Sequence, residues 1–201
     1  MNCELLIIEE DYEKIFPPIS RTGKTEVELS MKIKLFTNIN ELAMTFNSDF
    51  NIDLKWKDHR IRFRNLRKSD NYLNKQSREK LWLPPFYFSN TLFDKTVSSG
   101  YYISLEVLRK SEPVQNTILD ADEGKIYHGR DNDLHLLAKH EPIFTCQFEL
   151  SNFPFDKQVC YMVIRIPTEY RKDITIKPSI LEYTGKNLIS NSWVFDLIFS
   201  Q

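Results

Sequence analysis

The sequence predicts an all-β chain: about ten short strands folded as a sandwich or barrel, preceded by a short N-terminal α-helix. Three observations carry this reading. Val27, Leu29, Met31, Ile33 and Leu35 alternate with Glu26, Glu28, Ser30, Lys32 and Lys34, the two-residue period of a strand with one buried face. Comparable short runs recur to the C-terminus with turn residues between them. Only the first residues carry a helical period instead. The 201 residues suit one all-β domain, taken as residues 1–201.

The elements follow in order. Leu5, Ile8, Tyr12 and Ile15 recur at helical spacing, and Pro17-Pro18 ends the run, so Cys3–Phe16 reads as the helix. Thr25–Asn38 is the alternating strand, Asn38–Leu42 a turn, and Thr45–Lys57 a second strand. It leads into Trp56-Lys-Asp58-His-Arg60-Ile61, a corner that sets a buried indole beside an Asp–Arg pair. Asn65–Lys80 is polar and charged, a loop with a helical turn. Tyr101–Val107 alternates again, and Leu108–Gln115 is a polar connection. Glu123-Gly124 signals a turn into Lys125–Tyr127. Leu134–Ala138, Pro142–Phe148, Val159–Ile166, Ile174–Lys177, Ile180–Ile189 and Trp193–Phe199 read as the remaining strands.

Composition excludes several classes. A net charge of −1 gives no basic footprint for nucleic acid. With five glycines a phosphate cradle is hard to build, and there is no nucleophile elbow and no Cys-x-x-Cys, so no enzyme and no cofactor is expected. His135 and His140 are five apart with no Glu motif between them, which argues against zinc. No stretch approaches the ~20 apolar residues of a membrane span. Met1-Asn-Cys-Glu lacks a basic leader and the apolar run is only Leu5–Ile8, so the chain reads as one whose leader has been removed or as an excised domain.

The most specific stretch is Cys146-Gln-Phe-Glu-Leu-Ser-Asn-Phe-Pro-Phe-Asp-Lys-Gln-Val-Cys160. Thirteen residues separate two cysteines, with Phe153-Pro154-Phe155-Asp156 near the middle. This resembles the signature loop of the Cys-loop receptors, the pentameric neurotransmitter-gated ion channels. Other blocks fit in order. Trp56-x-Asp58-x-Arg60 resembles the family's corner after its second strand. Trp82-Leu-Pro84-Pro85-Phe86-Tyr87-Phe88-Ser89-Asn90 resembles its Trp-x-Pro-Asp block, with Pro85 where the family usually has Asp. The resemblance covers roughly residues 4–201.

The resemblance implies an immunoglobulin-like twisted β-sandwich with a helix on top. It implies a Cys146–Cys160 disulfide, which leaves Cys3 over as a thiol or as one end of an intermolecular bridge. It implies an extracellular domain at the plasma membrane, identical or homologous subunits closing a pentamer, a small-molecule ligand between subunits, and the transmembrane domain of the same full-length protein as the coupled partner. Phe153, Pro154, Phe155 and Asp156 would carry that coupling. A secreted soluble binding protein of the same fold, acetylcholine-binding-protein-like, is the alternative.

Family members hold agonist in an aromatic cage. The cage position five residues before Trp56 is Asn51, the one in the Trp82 block is Ser89, and the one seven after Cys160 is Pro167, with Tyr170 three further on. None of Asn51, Ser89 and Pro167 offers a ring face. Asp53 adds to a polar lining. Tyr87 and Tyr170 are candidates to rebuild part of a cage, and Tyr127 is counted with the ligand-binding candidates. The capping hairpin falls between Leu188 and Trp193, where only Ile189–Ser192 is available and no vicinal cysteine pair occurs. The chain thus looks like a divergent invertebrate-type member with a shortened cap. It holds either no agonist at this place or a different ligand in a more polar pocket.

Overall fold

The computed structural model describes residues 5–19, 23–93, 96–97, 100, 102–114, 124–152, 155 and 158–184, and the backbone of residues 193–200. The strands are β1 (Leu6–Ile8), β2 (Thr25–Asn40), β3 (Thr45–Trp56), β4 (Ile61–Arg64), β5 (Tyr87–Phe88), β6 (Tyr102–Leu108), β7 (Ile126–His128), β8 (Asp133–His140), β9 (Ile143–Thr145), β10 (Gln158–Arg165), β11 (Ile174–Tyr183) and β12 (Trp193–Ser200). One short helix, α1 (Lys75–Lys80), precedes β5, with Asn74 accepting from the Ser77 N–H as its N-cap.

A large sheet runs β11-β2-β3-β8-β6, with β9 continuing onto the far part of β3. Two three-stranded sheets, β12-β10-β5 and β1-β4-β7, complete the sandwich. Alternation decides which face is inside. Val27, Leu29 and Met31 of β2, Ile52, Leu54 and Trp56 of β3, and Leu134, Leu136 and Ala138 of β8 are buried, and so are Cys160, Met162 and Ile164 of β10. The sheets meet through rings. Phe88 of β5 stands edge-on to Phe50 at 5.4 Å and to Phe144 at 5.5 Å. Such tilted contacts add roughly 0.5–1.5 kcal/mol each beyond the area they bury.

The N-terminal helix is not what forms. Leu6–Ile8 is a strand whose Leu6 faces Phe63 and whose Ile8 faces Ile61 across β4. Two turns follow, closed by Tyr12 N–H to the Glu9 carbonyl and Phe16 N–H to the Glu13 carbonyl. The open edge of β4 and the paired β-branched residues Ile7 and Ile8 outweigh a weak helical period. Tyr12, which the period places on a helix face, instead donates its hydroxyl to Asp58 and accepts from the Trp82 N–H.

The Trp56 corner forms as expected. Trp56 packs edge-on against Trp82 at 6.2 Å, and Arg60 grips the fully buried Asp58 through Nε and Nη2 at 2.9 and 2.8 Å. Gly124 sits at φ +75°, where glycine carries no steric cost, and the Asn65 side chain caps the turn through the Lys125 N–H.

At the other end of the chain, residues 174–183 form a single strand with an irregularity between Pro178 and Leu181. The proline is tolerated because β11 is an edge strand. β11 pairs parallel with β2 and β12 parallel with β10, in different sheets.

Candidate functional site

Alternation turns Asn51 and Asp53 of β3 to the outer face of the large sheet. Asp53 meets His135 of β8 there, Oδ1 to Nε2 at 2.8 Å, and the other ring nitrogen of His135 meets Glu106 of β6 at 2.9 Å. The imidazole thus lies between two carboxylates from neighbouring strands. The Asp53 hydrogen bond, aided by Glu106 and opposed by burial, holds the His135 pKa above its usual value. Protonation is thereby favoured relative to a free imidazole, and in the cation both ring nitrogens donate, one to each carboxylate.

Charge continues across this face. Lys55 stands opposite His135 in the β3–β8 ladder. Lys32 pairs with Glu182 of β11 at 3.1 Å. A cavity of about 240 Å³ opens here, lined by Ser30, Asp53, Lys55, His135, Ile180 and Glu182. Asn51 is set between Lys32 and Lys139 in the ladder, and its Oδ1 is buried without a hydrogen-bond partner. Lys139 also approaches the half-exposed Tyr102 ring at 5.7 Å.

This cluster sets a pH dependence. A raised histidine pKa stabilises the fold fully below the unfolded value of about 6.5, and that stability is lost as pH rises through the folded value. His135→Gln should therefore cost about 1 kcal/mol at pH 5.5 and much less at pH 8.5, since the bonds are to partly exposed charged groups. Burial lowers the pKa of His128 and His140, which opposes the trend, so the wild-type minus variant difference in urea midpoint is the quantity to compare. Equal costs at the two pH values would refute the charged triad.

Tyr87, Ser89 and Pro167 gather on a different sheet. Tyr87 faces Arg165 across β5–β10, the Ser89 N–H donates to the Val163 carbonyl at 2.9 Å, and Pro167 follows the end of β10 by two residues. Pro167 begins the 3-10 turn Thr168–Tyr170, and the Tyr170 hydroxyl is committed to the Ile15 carbonyl at 3.4 Å. Asn90 clamps this region, giving its amide to the Tyr161 and Thr145 carbonyls and accepting from the Val163 N–H.

Tyr127 belongs to neither group. It lies in the third sheet, 1% exposed, with the Arg109 guanidinium 5.0 Å from its ring centre. Within the chain, then, Asn51 joins Asp53, and Tyr87 joins Ser89 and Pro167, on separate sheets.

The disulfide expected between Cys146 and Cys160 is formed, with Cα atoms 5.4 Å apart. Gln158 braces the loop base, accepting from the Glu149 N–H and donating to the Glu149 carbonyl. The Cys146 N–H donates to the Met44 carbonyl, which ties the loop to the β2–β3 turn. Both tips are bare: Leu42 is 99% and Phe155 93% exposed. Phe153, Pro154 and Asp156 lie outside the described residues, as do Cys3 and Ile189–Ser192. β11 and β12, the described strands on either side of that segment, are in different sheets.

Comparison with protein families matches residues 5–183 to the neurotransmitter-gated ion-channel ligand binding domain. The chain belongs to that family. Among curated proteins it is similar to the acetylcholine-gated chloride channel subunit acc-1 of Caenorhabditis elegans, 24% identical over 158 residues. That match covers 78% of this chain and 29% of the nematode subunit. Membership places the ligand-binding domain outside the enzyme families. Among the described residues no helix is long and apolar enough to cross a membrane. No cluster suited to a metal ion occurs among them either.

Two residues of the polar face escape a reading of the sequence. His135 enters it only as half of a rejected zinc pair, and Glu106 not at all. Alternation shows that each points outward, but only the β3-β8-β6 order brings them to Asp53.

Proposed function

We propose that this chain is the extracellular ligand-binding part of a pentameric ligand-gated channel, which takes a small ligand between neighbouring subunits and passes binding to a transmembrane pore through the 146–160 loop. The supporting observation is the separation of the candidate residues. Tyr87, Ser89 and Pro167 lie on the β5–β10 sheet and Asn51 and Asp53 on the outer face of β3, so a single subunit holds two half-sites. A head-to-tail contact, repeated around a closed ring, sets one half-site against the other. The bare Leu42 and Phe155 favour a channel over a secreted binding protein, because exposed apolar tips call for a covering surface. Phe153–Asp156 is the segment assigned to that contact.

The ligand is assigned to a polar class. The nematode relative is named as acetylcholine-gated. Here the three cage positions carry Asn51, Ser89 and Pro167, and the opposing face offers hydrogen-bonding groups. Losing three rings forfeits on the order of 2–5 kcal/mol of cation–π attraction, a tens- to thousands-fold loss of affinity. Calorimetry with acetylcholine, serotonin and nicotine should show no binding tighter than millimolar. A submicromolar dissociation constant for any of them would overturn the polar assignment.

A further inference from the structure

β9 runs antiparallel to the start of β3, with Thr145 opposite Thr45. One step further, the Cys146 N–H donates to the Met44 carbonyl at 2.9 Å and keeps the pattern of the ladder. Two residues on, the same pattern would bring the Phe148 N–H to the Leu42 carbonyl. Residues 41–44 form the turn between β2 and β3, so the ladder stops there. The Phe148 N–H donates instead to the thioether Sδ of Met44, at 3.4 Å. One residue of the turn thus holds the entry to the 146–160 loop twice, through its carbonyl and through its sulfur. Met44 does so at φ +53°, in the left-handed region that few residues other than glycine enter.

The two holds differ in chemistry. A peptide carbonyl is indifferent to mild oxidants, whereas a thioether takes up an oxygen. Met44 is 39% exposed, against 1% for Met31 and for Met162, and Cys146 and Cys160 are already joined to each other. Among the described residues, Met44 therefore carries the sulfur that an oxidant in solution reaches first. In a sulfoxide the sulfur is the positive end of a polar S–O bond and no longer attracts an N–H. The new oxygen accepts well but stands a bond length beyond the sulfur. Since the sulfur is already at hydrogen-bond distance from the Phe148 nitrogen, the side chain must swing away to present that oxygen.

We propose that Met44 is a site of reversible oxidation, and that its sulfoxide frees the Phe148 end of this clamp. With hydrogen peroxide the sulfur lone pair supplies two electrons, the O–O bond breaks, an S–O bond forms and water leaves. Methionine sulfoxide reductases return the two electrons from a pair of thiols, giving the thioether, a disulfide and water. Leu42 and Phe155 are the bare tips of the turn and the loop, so a clamp between their bases decides whether the two move together. The modification needs neither a neighbouring subunit nor a pore, and its test stands apart from that of the proposed function.

Dilute hydrogen peroxide, applied to the folded domain with its disulfide intact, tests it. Peptide masses should show one added oxygen on Met44 about tenfold sooner than on the buried Met31 and Met162. Amide hydrogen exchange at Phe148 should then quicken about fivefold, for want of one weak hydrogen bond. Exchange at Cys146, which is bonded to the Met44 carbonyl, should stay at its parent rate. Met44→Leu keeps the carbonyl and loses the sulfur. It should show the faster Phe148 exchange before treatment and no change after it, which separates Met44 from Met1 and Cys3 as the cause. Treatment with both methionine sulfoxide reductases should restore the parent rate. Met44 oxidised no sooner than Met31, Phe148 exchange unchanged or slowed in the sulfoxide, or a peroxide effect that persists in Met44→Leu would overturn the proposal. Exchange that stays fast once the reductases have removed the oxygen would overturn its reversibility.

Discussion

Replacing Cys146 and Cys160 together by alanine should cost about 3 kcal/mol of stability, the chain-entropy value for a loop of about 15 residues. The bond is buried, with Cys160 fully inside, so its loss also removes packing. Against a typical total of about 5–15 kcal/mol, this is a large fraction. The urea midpoint should fall by about 1–3 M at an ordinary slope. The double change is the informative one, because a single replacement leaves a thiol free to pair with Cys3. A midpoint within about 0.3 M of the parent would contradict the role given to the staple.

Asp58→Ala should be at least as damaging. The carboxylate is fully buried and accepts from Arg60 Nε, Arg60 Nη2, the Arg60 N–H and the Tyr12 hydroxyl, at 2.8–3.1 Å. Arg60 in turn donates to the Glu13 and Phe16 carbonyls and lies over the Tyr12 ring at 4.5 Å. Burial, then the Asp58 charge, holds the Tyr12 phenol well above its usual range, so it stays protonated and donating. Without Asp58 the guanidinium keeps its enclosed position and loses its counter-charge. Breaking one partner of such a pair costs about 3–5 kcal/mol. The amides of residues 5–16 should lose exchange protection along with the global loss, because Arg60 and Tyr12 anchor that segment. A cost below about 1 kcal/mol would mean that the network is replaceable by water.

The elements of the fold differ in how far a sequence foretells them. Trp56-x-Asp58-x-Arg60 was legible because a short sequence spacing encodes it: Asp58 and Arg60 are two residues apart and need no distant strand to meet. Alternation made β2, β3 and β8 legible for the same local reason. The disulfide followed from the resemblance of residues 146–160 to a known loop. The N-terminal strand was not legible, because its register is dictated by β4, more than fifty residues away. His135 and Glu106 escaped as partners of Asp53 for the same reason, being joined to it only through sheet order. That β11 and β12 fall in different sheets likewise depends on where each docks, and both dock in parallel on distant strands.

Under the proposed function, the two half-sites on one chain are completed by a neighbouring copy. Electron micrographs of the domain at high protein concentration test it most directly. Ring-shaped particles with five-fold symmetry are expected, in which identical head-to-tail contacts close on themselves. A two-fold dimer as the sole assembly, which pairs like faces and leaves both half-sites unmatched, would contradict it.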